Sequence, residues 1–413
     1  MQYQLYGDGI HDDYPAIQEM IDSGTCEVTL PVPRVCYRLS KTLTLPSNFR
    51  LVLPRYAKIR LMDGANCFML ANKTVEKYSL KTDNLSHEMF WFYDAYSNEP
   101  EDTAQNIEVT GGIWDFNNLG QNQNPSVTGK FEPAHYTGFG MLFYNVKGLK
   151  LSNLTLKDPV TFSVTLDTVS YFTVENITFD YNYGNPKAVS MDGIHLAGNC
   201  HYGVLRNLKG ACYDDLVALN ADEGSNGPIT NIEINGIFAE DCHSAVRLLT
   251  VLHPVEKITI SNVFGTYYQF AIGFTRFGHY DGNGYFDAVT LDKIHVSKAV
   301  RHSIYCKDDA RVRPLINFEP GVRVKSLKIS NFHRREENTP ICTLGLEDRT
   351  TIQHLLLDTV STENKTGEVM PLVQLYPESR IETLTLRSVN TNGDPRIVSE
   401  GTVDTLRDED ANG

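Results

Sequence analysis

The sequence predicts an all-β protein that folds as a single-stranded right-handed parallel β-helix of about ten rungs, with a short N-terminal capping helix. Three observations lead to this prediction. A six-residue pattern recurs along the chain, a second short apolar segment lies between successive copies, and no amphipathic helical pattern separates them. A coil of stacked strands needs such a pair of segments in each turn, because parallel strands of neighbouring turns pair about 4.8 Å apart.

The N-terminal element is predicted from residues 12–23, which read DDYPAIQEMIDS. A proline stands near the start of this segment, and Ile17, Met20 and Ile21 recur at helical spacing. We therefore expect a short helix here, within an N-terminal cap over residues 1–40.

The repeated pattern reads apolar, any, apolar, any, small or Asn, apolar. Its copies lie 23 to 42 residues apart and begin at Ile107, Leu149, Phe172, Gly203, Ile232, Ile258, Val289, Leu327, Leu355 and Leu384. In five copies the fifth residue is Asn, at Asn153, Asn176, Asn207, Asn262 and Asn331. An Asn amide satisfies backbone groups at a bend and tolerates the left-handed backbone, so we expect these side chains to stack in a ladder.

The second segment of each repeat reads as a short apolar strand, as in residues 192–197, 215–220 and 244–250. Two or three strands per repeat without a helix exclude a β-α-β fold. A β-sandwich or a propeller is the competing all-β interpretation, but propeller blades need a steadier period of about 40 to 45 residues. We predict one domain over residues 1–413, with the coil over about 41–400 and a polar tail at 401–413 that frays.

Composition narrows the class of protein. The chain has 413 residues, of which 41% are hydrophobic and 21% are charged, which supports a large core and excludes a disordered chain. The net charge of −14 would repel a phosphate backbone, so we expect no nucleic-acid partner. Eight cysteines lack a Cys-X-X-Cys or zinc-like spacing, and we interpret them as small buried apolar residues.

Two features that the sequence lacks lead to an expectation about the cellular location of the protein. It has no run of 18 apolar residues, and its first residues have neither the basic nor the apolar region of a secretory signal. We therefore expect no membrane partner and a cytoplasmic protein as written, or a secreted or periplasmic one if a leader was removed. The sequence leaves the oligomeric state open.

Three aspartates at the start of neighbouring second segments are the strongest functional candidates. Asp192 precedes Asp214 by 22 residues and Asp215 by 23. In the strand that follows Asp192, His195 lies between two apolar residues and is expected to point outward, as is Arg247 in a later segment. Crowded carboxylates raise at least one pKa, which separates an acid from a base. Inverting glycoside hydrolysis needs such a pair, roughly 6.5 to 9.5 Å apart.

Two stretches carry a resemblance to a known group of proteins. Residues 6–18, YGDGIHDDYPAIQ, resemble the opening shared by many β-helices of the pectin-lyase-like superfamily. Residues 189–196, VSMDGIHL, followed by residues 213–220, YDDLVALN, resemble family 28 glycoside hydrolases, the polygalacturonases. The family pattern is N-T-D-G and then G-D-D about 22 residues later, and here Ser190 and Met191 replace its Asn and Thr. The superfamily resemblance covers nearly the whole chain, whereas the family motifs lie within residues 189 to about 250.

The resemblance implies an inverting glycoside hydrolase that cleaves a polysaccharide or oligosaccharide. By this resemblance Asp214 is the general acid, and Asp192 and Asp215 hold the attacking water as the base. His243 would then tune the protonation of the acid. No metal and no cofactor is expected, because the sequence shows no His/Cys cluster and no calcium-loop motif.

Further residues are candidates for binding the carbohydrate substrate. They are His195, Arg247, Arg276 and Tyr213. Arginine and histidine bind hydroxyl or carboxylate oxygens by charge-assisted hydrogen bonds. If Arg247 matches the arginine of the family's R-I-K motif, then Leu249 stands where that motif has its lysine. We therefore expect weak or absent activity on polygalacturonate and a preference for a neutral sugar or a differently linked uronide.

Other functions on the same fold stay open from the residues alone. In a polysaccharide lyase the carboxylates would hold Ca²⁺, and Arg or Lys would abstract a proton next to a uronate carboxyl. An intramolecular glycosyl transferase would use the same acid and base with a different acceptor. A non-catalytic carbohydrate-binding β-helix would use the carboxylates only to bind hydroxyl groups.

Overall fold

The computed structural model describes residues 4–77, 102–131, 136–277, 281–299 and 312–410. The chain divides into two compact units. The first unit comprises Met1–Asp214 and Glu223–Asn226, and the second comprises Asp215–Asp222 and Gly227–Gly413. The single domain expected over residues 1–413 stays a prediction.

The first unit contains two α-helices, α1 (Tyr14–Asp22) and α2 (Pro125–Thr128), and short 3₁₀ turns at Lys73–Lys77 and Asn118–Gly120. Its strands are β1 (Glu27–Thr29), β2 (Tyr37–Leu39), β3 (Leu43–Leu45), β4 (Phe49–Val52), β5 (Lys58–Leu61), β6 (Leu70–Asn72), β7 (Ala104–Thr110), β8 (Ile113–Asp115), β9 (Met141–Ser152), β10 (Thr155–Lys157), β11 (Val164–Asp180), β12 (Ile194–Leu196) and β13 (His201–Lys209). The helix expected within residues 12–23 is confirmed as α1, which buries Ile17 and Ile21.

The second unit is described as strands. They are β14 (Asp215–Asn220), β15 (Ile229–Leu249), β16 (Val255–Thr275), β17 (Phe286–Lys298), β18 (Ile316–Phe318), β19 (Arg323–Glu336), β20 (Leu344–Leu346), β21 (Thr351–Asn364), β22 (Val373–Leu375), β23 (Arg380–Asn390), β24 (Ile397–Ser399) and β25 (Thr402–Asp408). Within the described residues, no helix is both long and apolar enough to span a bilayer.

The repeated six-residue pattern marks the register of stacked parallel strands. In the first unit Ile107 pairs with Leu149, Leu149 with Phe172 and Phe172 with Gly203. In the second unit the same first position pairs in sequence through Ile232, Ile258, Val289, Leu327, Leu355 and Leu384. Gly203 takes the apolar position because a Cβ there would lie 2.0 Å from the Phe172 ring, which fills the space. The predicted parallel β-helix is confirmed as an all-β parallel architecture.

The asparagine ladder is confirmed where successive copies both carry Asn. Asn153, Asn176 and Asn207 have left-handed φ angles of 60°, 57° and 56°. The Asn207 amide donates to Asn176 at 2.6 Å, and the Asn176 amide donates to Asn153 at 3.3 Å. In the second unit Asn331 donates instead to Asp292 at 2.7 Å, so an acidic neighbour also serves as the acceptor.

The second apolar segments form their own parallel ladder within each unit. In the first unit Val164 pairs with Ile194, which places Thr165 beside His195. In the second unit the pairing runs through Val217, Val246, Ile272, Ile316, Leu344 and Val373. The residues between these apolar positions form an outer row that carries Ala218, Arg247 and Gly273 in register.

The C-terminal segment differs from the frayed tail that the sequence suggested. Strand β25 pairs with β23 from Thr402 to Asp408. Its outward polar side chains form ion pairs with that strand, including Arg380 with Asp404 at 2.6 Å. These pairs explain why a polar sequence still forms a strand, and residues 411–413 lie outside the described residues.

The cysteines largely follow the expectation of buried thiols. All seven cysteines in the described part of the chain are free, and five of them are buried. Cys67 is half-buried and Cys26 is exposed. Cys306 lies outside the described residues.

Candidate active site

His195 forms the centre of a buried polar cluster in the first unit. It is the middle residue of β12, between Ile194 and Leu196, and its side chain is 1% exposed. The imidazole ring lies flat against the Phe162 ring, with centroids 4.1 Å apart and planes 7° apart. Phe162 in turn stacks on Phe139 at 5.0 Å. His195 is therefore held in one plane beneath the surface rather than displayed to solvent.

Each ring nitrogen of His195 faces a carboxylate. Nδ1 lies 2.7 Å from Asp192 Oδ2, and Nε2 lies 2.9 Å from Glu223 Oε2. The contact between Nε2 and Glu223 does not have hydrogen-bond geometry, because the N–H does not point at the oxygen. The two groups are close enough to form an ion pair. Its attraction is electrostatic and depends on distance more than on angle.

The charge on His195 follows from these neighbours. Burial by itself would lower the pKa of His195, but its contacts with Asp192 and Glu223 outweigh burial and raise the pKa to about 10. The ring is therefore a buried imidazolium at neutral pH. The cluster consists of one cation held between two carboxylates.

Hydrogen bonds anchor the main chain at both acidic residues of this cluster. The Asp192 carbonyl accepts from the Ser163 N–H at 3.0 Å and from the Tyr181 hydroxyl at 3.1 Å. The Glu223 carbonyl accepts from the Gly198 N–H at 3.0 Å. These bonds hold the main chain at Asp192 and Glu223, from which the two side chains reach His195.

Asp215 is the corresponding buried carboxylate of the second unit. It opens β14 and is 3% exposed. One of its oxygens accepts from the Ser244 hydroxyl and the other from Nε of Arg247. Hydrogen bonds between ionised partners are stronger than neutral ones, so both ends of this carboxylate are fixed.

The Arg247 guanidinium lies close to two phenylalanine rings. Its guanidinium carbon is 5.4 Å from the centroid of Phe270 and 5.1 Å from that of Phe277, within cation-π range. The neighbouring position in register is Gly273, where a Cβ would lie 2.4 Å from the Phe270 ring. Glycine at this point lets the phenylalanine ring lie beside the arginine. No structural partner for Arg247 was evident from sequence, and the structure provides Asp215.

Asp214 and His243 complete the predicted catalytic set. Asp214 directly precedes Asp215, is half-buried, and accepts the Cys212 thiol at its backbone carbonyl at 3.1 Å. In the second unit His243 Nδ1 lies 3.2 Å from the Ser244 hydroxyl. Asp215 and His243 also offer a carboxylate oxygen and a ring nitrogen within 4.8 Å of each other. This pair could ligate a cation, but Arg247 already neutralises Asp215.

The remaining substrate-binding candidates differ in where the structure places them. Tyr213 is half-buried, with its ring 5.9 Å from that of Tyr183. Arg276 is 0% exposed, and its guanidinium donates to the carbonyls of Gly282 at 2.7 Å and Gly284 at 3.4 Å. A sugar cannot reach a guanidinium buried in this way, so Arg276 binds the backbone at Gly282 and Gly284 instead of a substrate.

Sequence reasoning did not select Glu223 or Ser244. Glu223 follows Asp222 in a polar turn, and nothing in the pattern shows which of the two acids faces His195. In the structure Asp222 accepts from the backbone N–H of Leu252 at 2.8 Å and contacts His253 Nδ1 at 2.6 Å. The sequence offers one signal for Glu223, which is that an acidic residue follows closely after the apolar segment that begins at Asp215.

Comparison with known proteins adds information about the fold. No family model matches the chain, and no curated protein matches it in sequence. Among solved structures, the family 28 exopolygalacturonase of Yersinia enterocolitica matches with a TM-score of 0.54 and 14% identity, over 98% of this chain and 77% of that one. The hyperthermoactive exopolygalacturonase of Thermotoga maritima matches with a TM-score of 0.54 and 15% identity, over 93% and 90%. The A-module of a mannuronan C-5 epimerase from Azotobacter vinelandii matches with a TM-score of 0.62 and 11% identity, over 98% and 96%.

These neighbours share one architecture. The chain has the fold of the pectin-lyase-like parallel β-helix proteins. These proteins differ in activity, since two are exopolygalacturonases and one is a mannuronan C-5 epimerase. One fold hosts several chemistries, so the function has to be argued from the side chains of this chain.

Proposed function

We propose that the protein is an inverting glycoside hydrolase that cleaves a polysaccharide or oligosaccharide by acid/base catalysis between aspartates. The observation that supports this most is that Asp192 and Asp215 each contact a buried cation of their own. Asp192 lies 2.7 Å from the His195 ring, and Asp215 accepts from Arg247. A general base must be an anion, and contact with a cation favours the anionic form of a carboxylate.

The proposed roles are those that the resemblance to family 28 glycoside hydrolases implies. Asp192 and Asp215 hold and activate the attacking water, while Asp214 supplies the proton to the leaving oxygen. His243, beside Ser244 in the second unit, tunes the protonation of the acid. Two carboxyl groups in different protonation states are what inverting hydrolysis requires.

The same contacts favour hydrolysis over a calcium-dependent lyase. A Ca²⁺ site needs several oxygen ligands with negative charge to spare. In this chain Asp192 already contacts the His195 ring and Asp215 already contacts Arg247, so each carboxylate has a cationic partner of its own. We therefore propose a reaction that needs no metal.

We propose a neutral sugar or a differently linked uronide as the substrate, because the candidate cations His195, Arg247 and Arg276 already have partners. Both nitrogens of His195 face carboxylates, and Arg247 pairs with Asp215. Arg276 donates to backbone carbonyls. Leu249, where the polygalacturonase motif has lysine, supplies no charge.

The proposed architecture is a right-handed coil of about ten rungs, closed at its N-terminal end by α1. The helix lies against β1 and β3, the first strands of the chain, and it buries Ile17 and Ile21. A β-helix needs such a cover because the end of its apolar core would otherwise face water.

The test is a screen of polysaccharides and synthetic glycosides in EDTA, with detection of new reducing ends. On the substrate found, Asp214→Asn should lower kcat by about 10² to 10⁴, the usual contribution of general acid catalysis. Asp180→Asn, at an exposed aspartate paired with Lys157, serves as the control and should keep the wild-type rate. A near wild-type rate for Asp214→Asn would remove that residue from the mechanism, and activity lost in EDTA but restored by Ca²⁺ would point to a lyase.

A further inference from the structure

We propose that Glu223 is a positioning residue that acts through His195 to hold Asp192 in its working orientation. The inference rests on the proposed function, because it assigns Asp192 a role that depends on orientation. Glu223 is 5% exposed, and its carboxylate faces the His195 nitrogen on the opposite side of the ring from Asp192.

The three side chains form one line of contacts. Asp192 and Glu223 lie 2.7 and 2.9 Å from the two nitrogens of a single ring, and that ring is fixed in plane by Phe162. A shift of the Glu223 carboxylate would move or discharge the ring, and the ring lies 2.7 Å from the Asp192 carboxylate. Glu223 therefore influences Asp192 without touching it.

The turn that carries Glu223 is built to deliver it. Gly224 has a left-handed φ of 64°, and a Cβ there would lie 2.4 Å from a carboxylate oxygen of Asp167. That carboxylate accepts the Ser225 N–H at 3.1 Å. Glycine is thus required for the turn to pack this closely, and the close packing sets the position of Glu223.

Charge explains why both carboxylates are needed. The charged groups that act on His195 are Asp192 and Glu223, and together they raise its pKa to about 10 against the effect of burial. The Asp167 carboxylate accepts hydrogen bonds from the Ser225 N–H and the Thr168 hydroxyl. The Tyr181 hydroxyl donates to the Asp192 carbonyl. With Glu223 made neutral, burial favours loss of the ring proton as pH rises. Asp192 then loses the cation beside it.

The first measurement is an NMR titration of His195, assigned by comparison with His195→Gln. In the wild-type protein the ring should keep its proton to about pH 9, and in Glu223→Gln the midpoint should fall by at least about two units. Glu382→Gln, at an exposed glutamate, is the control and should leave the midpoint unchanged. A wild-type His195 that titrates near its ordinary value overturns the inference, whatever the substrate screen shows.

The second measurement is kinetic and uses the substrate found in the screen. Glu223→Gln should lower kcat about 10- to 100-fold with KM within about threefold, and kcat should acquire a new decline with rising pH. In a His195→Gln background the same substitution should change kcat by less than about twofold, since its effect passes through the ring. Equal losses in both backgrounds contradict the positioning role. The two proposals can fail separately. If no glycoside is cleaved but the NMR titration shows that the His195 pKa depends on Glu223, the proposed function is wrong and the coupling among the three residues is retained.

Discussion

The ion pair between Asp215 and Arg247 gives a quantitative prediction for stability. Both side chains are nearly buried, at 4% and 10% exposure. Arg247→Met keeps an apolar stem beside Phe270 and Phe277 but leaves Asp215 without its cation. Removing one member of a buried pair costs about 3 to 5 kcal/mol, and because Ser244 still donates to Asp215 we expect the lower end, about 3 kcal/mol.

A double-mutant cycle separates this effect from general damage. Urea unfolding followed by circular dichroism would be measured for Arg247→Met, Asp215→Asn and the double variant. The double variant removes both charges, so it should recover at least about 2 kcal/mol relative to the sum of the single changes. Arg387→Met is the matched control, because its pair with Glu409 is about half exposed and should contribute little to stability. Additive single effects without coupling would refute the buried pair.

Two further predictions concern the ladder and the substrate. Asn176→Ala should destabilise the protein by about 1 kcal/mol more than Asn176→Gly in thermal or urea unfolding, because glycine adopts the φ of 57° without the strain that alanine's Cβ causes there; equal losses would show that the amide bonds matter and the backbone angle does not. Polygalacturonate should be cleaved weakly or not at all in reducing-end assays, since Leu249 replaces the lysine of the polygalacturonase motif; vigorous cleavage would show that another group reads the carboxylate.

The parts of the structure that repeat were predictable from the sequence. Each turn must bury the same apolar positions, so the recurrence of Leu149, Phe172 and Gly203 at one register marks the pairing directly. The Asn ladder follows from the same repetition, because identical positions in adjacent turns are neighbours in space.

Side-chain partners that depend on turns were not predictable in this way. His195 and Glu223 are 28 residues apart, and their contact depends on a turn whose path is set by Gly224. Arg276 was a substrate-binding candidate from sequence, yet its guanidinium is buried and donates to the carbonyls of Gly282 and Gly284. Strand β25 looked like a polar tail because its sequence shows no periodic apolar pattern. Its charged side chains form ion pairs with β23, and such pairs cannot be recognised from the sequence of β25 alone.

The stereochemistry of the first product tests the central claim most directly. An inverting hydrolase places the attacking water on the face opposite the leaving group, so the new reducing end must first appear as the anomer opposite to the cleaved linkage. Proton NMR of the anomeric signal within the first minutes of reaction, before mutarotation, would record it. We predict the inverted anomer as the initial product. The retained anomer, or an unsaturated product that absorbs in the ultraviolet, would contradict the assignment of Asp214 as acid and Asp192 with Asp215 as base.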